Sequence, residues 1–352
     1  MRQQRDEPYP DTFIGGGFHD PSAPAQLQDP LLTLAPAPAP VPPPAPAHRP
    51  RGLVPAIAAV LCALLLVGHA LVPNTGWNMG SLLETLLPWT ALAIPPLLVA
   101  ALIRRSIPAA LATLLLAATW AAMFGSQFVG SAPGARPNLT VVTHNVDAAN
   151  PDPASTARDL LAAHPDVVAL EEVTDKAFPS YRRVLDPSLR YSFHTGTVAV
   201  WSRHPITASE RVVLDPGWNR SLRVEIQGPD GPFAVYVVHL ASVRVGPGGF
   251  TAGRRDQAVA ALDSRIDHEP LKKVVLMGDL NGSTADRGLA PLVSRLSSVQ
   301  NAAGAGFGFT WPSALPFVRI DQILTRGVIT TDAWSLPATT SDHRPIAAGL
   351  RV

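Results

Sequence analysis

The sequence predicts an α/β domain carried behind three membrane-spanning helices, with a proline-rich tail in front. Three observations lead there. Between residues 51 and 130 the chain holds three long apolar runs with one acidic residue among them, Glu84. From Asn138 onward, short β-branched runs recur with helix-like stretches between some of them. Residues 1–50 hold 13 of the chain's 37 prolines.

Taken in order, the tail comes first. It includes "APAPAPVPPPAPAHRP", and proline lacks a backbone donor and fixes φ, so the stretch can build neither helix nor sheet core. It reads as a solvated tail of polyproline II character over residues 1–50.

The first apolar run, 52–72, has no charged residue, and at 1.5 Å per residue it spans roughly 30 Å, a bilayer core. The second, 82–103, starts near Glu84 and carries the Pro95-Pro96 pair; the third covers 107–130. No polar face of helical period interrupts them, so they read as spans rather than as a soluble core. Glu84, near a helix end, is expected to meet interfacial water. Arg49 and Arg51 flank the first run and Arg104-Arg105 form the turn before the third, while the 73–81 loop has no Lys or Arg. The positive-inside rule then places the tail and the Arg104-Arg105 turn in the cytoplasm of a multi-pass cell-membrane protein, against the single Arg136. Three crossings leave the domain at 138–352 extracytoplasmic.

That domain carries 21 basic and 21 acidic residues, so it lacks the basic excess of a protein that grips long duplex DNA. The single cysteine, Cys62, lies in the first apolar run, which excludes a disulfide or thiolate metal site in the domain. No internal repeat is visible. The expected strands include "LTVVTHNV", "DVVALEEV", "TVAVWS", "FAVYVVHL", "KKVVLMGDL", "RIDQIL" and "IAAGLRV", with helix-like stretches at 153–163 and 253–267.

Polar residues end several of these strands: Asn145, Glu172, His239, and Asp279 with Asn281. Sheet enzymes gather chemistry where strands run out, because loops there open a pocket on a rigid base. Each residue also has a plainer reading. Asn145 can close a strand, Glu171-Glu172 can be a solvated loop start, and His239 can be a core histidine. Asn281-Gly282 suits a hairpin turn, and Asp342 can cap a following turn.

In this order, "THNV", "DVVALEEV", "TVAVWSRHPI", "VVHL", "RRDQ", "GDLNG", "RIDQIL" and "SDHRPI" resemble the endonuclease/exonuclease/phosphatase superfamily over residues 138–352. The resemblance implies a four-layered α/β sandwich, two packed mixed sheets flanked by helices. It implies Glu172 as the main Mg²⁺ or Mn²⁺ ligand, with Asn145 beside it and Asp342 on the metal side. Asp279 would orient or deprotonate the attacking water, and Asn281 would bond the phosphate. His239 and His343 would stabilise the phosphate as charge builds, with Asp321 holding the His343 ring. Arg254 with Gln257 would support the site.

The residue types agree independently, since phosphodiester hydrolysis needs a cation, an oriented water and donors for developing charge. Ser341, Asp342 and His343 are consecutive and cannot form a Ser-His-Asp relay. No GxxxxGK[ST] loop exists, and "GPGGF" (246–250) reads as a flexible loop near the site. Two departures stand out. Glu171 occupies the place where the family commonly has Gln, and the Tyr of many DNA-repair members has no counterpart. The adjacency of Asp342 and His343 predicts that the backbone at 341–343 leaves strand geometry.

The reading is a membrane-anchored, Mg²⁺-dependent phosphodiesterase, nuclease-like, with the bilayer as its partner and no protein partner predicted. A phospholipid or sugar-phosphate phosphoesterase is the alternative, and a catalytically inactive phospho-ligand-binding domain is the third. Candidates for lipid insertion are Trp218 and the 307–317 stretch, whose plainer reading is core or strand packing.

Overall fold

The computed structural model describes residues 51–129 and 136–352. The expected tail at 1–50 and the last residue of the third apolar run lie outside them.

The helical part begins with α1 (Leu53–Gly68), extended by a 3₁₀ turn to Leu71. Next come α2 (Met79–Leu86), a 3₁₀ stretch (Leu87–Ala93) and α3 (Ile94–Ile103), then α4 (Ile107–Phe124) with a 3₁₀ end at Phe128. Three helical segments, Leu53–Leu71, Met79–Ile103 and Ile107–Phe128, are therefore long and apolar enough to cross a membrane. The second starts at Met79 rather than 82, and tightens to 3₁₀ where Pro88 enters. Ser106 starts α4, its hydroxyl accepting from the Ala109 amide.

The domain follows with β1 (Leu139–Asn145), α5 (Pro153–Leu161), β2 (Val167–Glu171), α6 (Phe178–Leu185), β3 (Tyr191–Thr195) and β4 (Val198–Ser202). Then come β5 (Ile206–Arg211), β6 (Ser221–Gly228), β7 (Gly231–Val238), the short β8 (Val245–Gly246) and β9 (Gly249–Phe250), and α7 (Gly253–Asp267). It closes with β10 (Val274–Asp279), α8 (Ala290–Arg295), β11 (Ser297–Ser298), α9 (Val299–Ala303), β12 (Asp321–Arg326), β13 (Ile329–Ser335) and β14 (Ile346–Arg351).

Two six-stranded mixed sheets result, in the orders β13-β14-β1-β2-β4-β3 and β11-β12-β10-β7-β6-β5. Each has one parallel pair, β1/β2 and β7/β10, and antiparallel pairs elsewhere. Helix α5 connects the first pair and α7 lies in the connection of the second, so a βαβ unit sits in each sheet without any visible sequence repeat.

Strand alternation builds the layers. Val141, Val200, Val224, Val237, Met277 and Ile323 point between the sheets and form the central core. Their neighbours point outward: Val142, Leu170 and Trp201 meet Leu160 and Tyr181 of α5 and α6, while Tyr236 and Leu276 meet Val259, Leu262 and Leu292 of α7 and α8. Burial of each such side chain stabilises the fold by about 1.5–3 kcal/mol. The expected four-layered sandwich is present.

The apolar helices join this domain through specific contacts. Glu84 is not in interfacial water; it is 3 % exposed and its carboxylate accepts from the Arg287 backbone amide at 2.8 Å and from its Nε at 3.0 Å. Arg287 also donates to the His69 and Val72 carbonyls at the end of the first span, both at 2.9 Å. A Cβ on Gly80 would stand 2.7 Å from the Arg287 guanidinium carbon, so this glycine opens the space. Elsewhere the Asn78 amide donates to the Phe250 carbonyl, Trp89 Nε1 donates to the Phe317 carbonyl, and the Trp89 ring stacks on Phe309. Phe307 packs edge-on against Trp120, Phe124 and Phe128. The 307–317 stretch is thus packed largely on the apolar helices.

At the far side of the second sheet, Glu269 takes a two-pronged bond from Arg223 (2.6 and 2.7 Å) and one from Tyr236 (2.7 Å). Burial raises its carboxyl, but these bonds outweigh it and hold the pKa down to about 2 from 4.5. A depressed carboxyl contributes stability above its unfolded pKa and loses it as pH falls toward the folded one. Glu269→Gln should therefore cost about 3 kcal/mol near neutral pH. In thermal unfolding of the detergent-solubilised chain, the gap to wild type should shrink between pH 4.5 and about 2.

Candidate active site

The ends of the two parallel pairs meet. Asn145 finishes β1, and its side-chain amide donates to Glu172 Oε1 at 3.2 Å and across to Asp279 Oδ2 at 3.1 Å. One side chain therefore bridges the sheets at the point where three strands run out.

Glu172 follows β2 with φ of +61°, a left-handed conformation that costs a residue with a Cβ roughly 1–2 kcal/mol. This twist separates it from Glu171. The Glu172 carboxylate turns into the site, where Oε2 accepts from the Ala148 amide at 3.1 Å. Burial raises its pKa, but that bond, His239 and Asn145 bring it below the ordinary carboxylate value. Glu171 instead points between the sheets, fully buried, with the Thr143 hydroxyl on Oε1 at 2.9 Å and nothing on Oε2. Burial first and the Asp321 charge second push its pKa well above normal. The upward shift favours the uncharged acid, the form nearest to the neutral Gln that the family commonly has at this place.

Asp279 and Asp321 are register partners at the adjoining ends of β10 and β12, both buried. Two carboxylates at that spacing cannot both ionise without a counter-charge. His343 supplies one: its Nδ1 lies 2.9 Å from Asp321 Oδ2 and its Nε2 3.9 Å from Asp279 Oδ2. Burial works against the imidazolium, yet the Asp321 charge and bond raise its pKa to about 10. Asp279 is pushed up to about 7, by burial and then by Asp321. Asp321 itself is held below its usual value because His343 outweighs the effect of burial.

His239, after β7, places Nε2 at 3.7 Å from both Glu172 Oε1 and Asp279 Oδ2. Among the described residues, neither of its buried ring nitrogens has a hydrogen-bond partner. Burial and the Arg220 charge lower its pKa to about 4, so the ring is neutral at pH 7. Asn281, at φ +48°, donates its amide to Asp279 Oδ1 at 2.9 Å and its side chain to the Leu240 carbonyl.

The Ser341–His343 segment is a bend outside any strand, as the adjacency of its acid and base requires. Ser341 holds it, donating its hydroxyl to the Asn145 carbonyl at 2.7 Å and accepting from the His343 amide at 3.1 Å. Asp342 is more than half exposed; it accepts from Trp311 Nε1 at 3.1 Å and lies 3.9 Å from His343 Nε2.

The expectation for Arg254 and Gln257 needs correction. Arg254 pairs with Asp215 and lies over the Trp218 ring, 3.6 Å from Cζ to centroid, opposite Arg220 at 4.0 Å. Gln257 is exposed on α7 and makes no hydrogen bond to a site residue among the described residues. The buried member of "RRDQ" is Arg255, which donates to the Asn281 carbonyl at 3.0 Å and pairs with Asp286. Its position on the buried face of α7, three and four residues before Ala258 and Val259, was the available signal. Trp218 likewise belongs to a guanidinium-aromatic stack beside His239 rather than to the core.

Asp279, Asp321 and His343 form a buried group whose ligand atoms lie within 4.8 Å and could hold a metal ion. Two of them already bond each other, which neutralises that pair. The Glu172 carboxylate, bonded by Asn145 and faced by His239, offers oxygens that fit a hard divalent cation.

Residues 142–343 match the model of the endonuclease/exonuclease/phosphatase family, more than half of the chain, and the chain belongs to that family. No curated protein matches it by sequence. Among solved structures, the endonuclease/exonuclease/phosphatase from Bacteroides vulgatus is 17 % identical with a TM-score of 0.52, covering 61 % of this chain and 98 % of its own. TDP2 from D. rerio, complexed with a single-strand DNA product, is 20 % identical with a TM-score of 0.52, covering 61 % and 99 %. A functionally unknown conserved protein from Enterococcus faecalis V583 is 15 % identical with a TM-score of 0.51, covering 60 % and 99 %. At these identities the likeness is one of fold.

Gly278 sets Asp279 in place. Its φ is +137°, and a Cβ there would lie 2.1 Å from the Val238 carbonyl oxygen. Gly278→Ala should lower stability by about 2 kcal/mol or more, read as a reduced melting temperature against wild type.

Proposed function

We propose that this chain is a membrane-anchored, divalent-metal-dependent phosphoesterase that hydrolyses a phosphodiester by attack of an oriented water. The observation that carries the reading is the convergence of Glu172, Asn145, Asp279, His239, Asp321 and His343 from both sheets on one strand-end site.

Glu172 and Asn145 would hold the cation, with Mg²⁺ or Mn²⁺ as the candidates. When bound, the metal polarises the phosphoryl oxygens and offsets their negative charge. Asp279, with a carboxyl near neutrality at about 7, is suited to orient the water and take its proton. His343 stays charged through Asp321 and presents Nε2 toward a non-bridging oxygen. Neutral His239 has one ring N–H free to donate to the same phosphoryl group. Asn281, whose backbone amide bonds Asp279 and whose carbonyl is held by Arg255, would bond the phosphate. Asp342, bonded to Trp311, faces the rim, and its reach to the metal is part of the proposal.

The three apolar helices are assigned to the bilayer, 1–50 to a cytoplasmic tail and 138–352 to an extracytoplasmic catalytic domain. A phosphatase reporter joined after residue 137 should be active, whereas an inactive phosphatase with a fluorescent counterpart would reverse the orientation.

For the chemistry, the full chain in detergent should cleave bis(p-nitrophenyl) phosphate with Mg²⁺ or Mn²⁺ and stop with EDTA. Glu172→Gln and His343→Gln should each lower kcat by about 10²–10³-fold. Activity that survives EDTA, or both substitutions, would overturn the mechanism.

A further inference from the structure

The joint between the helices and the domain bears on the substrate. Among the described residues, the hydrogen bonds across this joint fall on Phe250, Arg287, Gly306 and Phe317 of the domain. Each lies in a segment at the site end of the sheets. Phe250 follows His239, Arg287 follows Asn281, and 306–317 leads into Asp321. On the other side the partners are His69, Ala70, Val72, Trp77, Asn78, Glu84, Trp89 and Gln127. Apart from Trp89, ten residues into the second span, they lie at the end of the first span, around the start of the second and at the end of the third, which is one end of the bundle. Segments that follow the strand-end site therefore rest on the end of the apolar bundle.

One rim segment goes further. Trp89 stands ten residues beyond Met79, about 15 Å along the span, and it is Trp89 that stacks on Phe309 and bonds Phe317. The 307–317 segment thus packs beside the helices as far as Trp89. It carries Leu315, 78 % exposed, and Val245 on β8 is 70 % exposed on another segment that contacts the helical part. A scattered exposed aliphatic side chain is ordinary on a soluble protein. Here the exposed side chains sit on segments that also pack on helices long enough to span a bilayer. The same segment holds the site: Trp311 bonds Asp342 and Ser313 donates to the Ser341 carbonyl.

Building on the phosphoesterase reading above, we propose that the substrate is a lipid of the surrounding bilayer whose headgroup carries the phosphoester. Its apolar chains would remain beside Leu315 and the helices while the headgroup rises to Glu172 and His343. A polynucleotide would have to thread between the membrane plane and the rim, and the domain's 21 basic against 21 acidic residues give no excess charge to draw it in.

The test uses the full chain reconstituted with Mg²⁺ or Mn²⁺ in phosphatidylcholine vesicles that contain phosphatidylglycerol or phosphatidylethanolamine. Parallel arms offer the water-soluble headgroup counterparts, a single-stranded DNA oligonucleotide, and bis(p-nitrophenyl) phosphate. The expected result is hydrolysis of a vesicle lipid with kcat/KM at least about tenfold above its soluble counterpart and above DNA. Leu315→Glu should lower the vesicle rate about tenfold by opposing apolar contact with the bilayer, with the chromogenic rate unchanged. Equal or faster cleavage of DNA or of the soluble counterparts overturns the proposal, as does a vesicle rate indifferent to Leu315→Glu. Chromogenic turnover without any lipid turnover overturns it while leaving the phosphoesterase reading intact. Silence on every substrate, the chromogenic one included, overturns both.

Discussion

Two aspartates placed as register partners at the ends of neighbouring buried strands set the terms for everything around them. Asp279 and Asp321 would repel in a poorly solvated setting, and each neighbour can be understood as an answer to that repulsion. His343 takes its charge from Asp321, the Asn145 amide neutralises nothing but satisfies an oxygen of Asp279, and Glu171 is pushed toward its neutral form. A site under that electrostatic load favours a cation, and the pair of oxygens next to His239 is where one fits. The bend at Ser341–His343 exists to bring the imidazole to Asp321, and two hydroxyl-mediated bonds from Ser341 fix it.

The two βαβ units explain why one place on the surface can collect so many polar groups. Each sheet contributes a parallel pair, and packing the sheets face to face brings the ends of both pairs together. Asn145 and Asp279, 134 positions apart in sequence, become hydrogen-bonded neighbours. The central core of alternating aliphatic residues holds those ends in register, so the site's geometry is inherited from sheet packing rather than from the loops alone.

Much of this was legible in the sequence. Strand endings are visible because an apolar run of period two stops at a polar residue, which located Asn145, Glu172, His239 and Asp279. The neighbour problem at Asp342-His343 was visible because adjacent strand residues face opposite ways. Long-range partners were not. Glu84 looked like an interfacial carboxylate because its counter-ion, Arg287, lies 203 positions away in a turn of no distinctive composition. Arg255 was passed over for Arg254, since burial on a helix face depends on the register of the whole helix and a four-residue motif does not reveal it. The 307–317 stretch carried aromatic residues whose packing surface, the apolar helices, belongs to a different part of the chain.

The Glu84–Arg287 pair has a consequence for biosynthesis. The chain leaves the ribosome from its N-terminus, so all three apolar helices have been made before the first strand of the domain exists. Glu84 is then in position long before Arg287 is translated, and the aromatic rim at 307–317 arrives later still. The domain then folds beside helices that have already been made, and its strand-end site is finished only as the last strands dock. Synthesis of the helices and completion of the site are in this way successive stages of one maturation, joined by a pair whose two halves are made far apart in time.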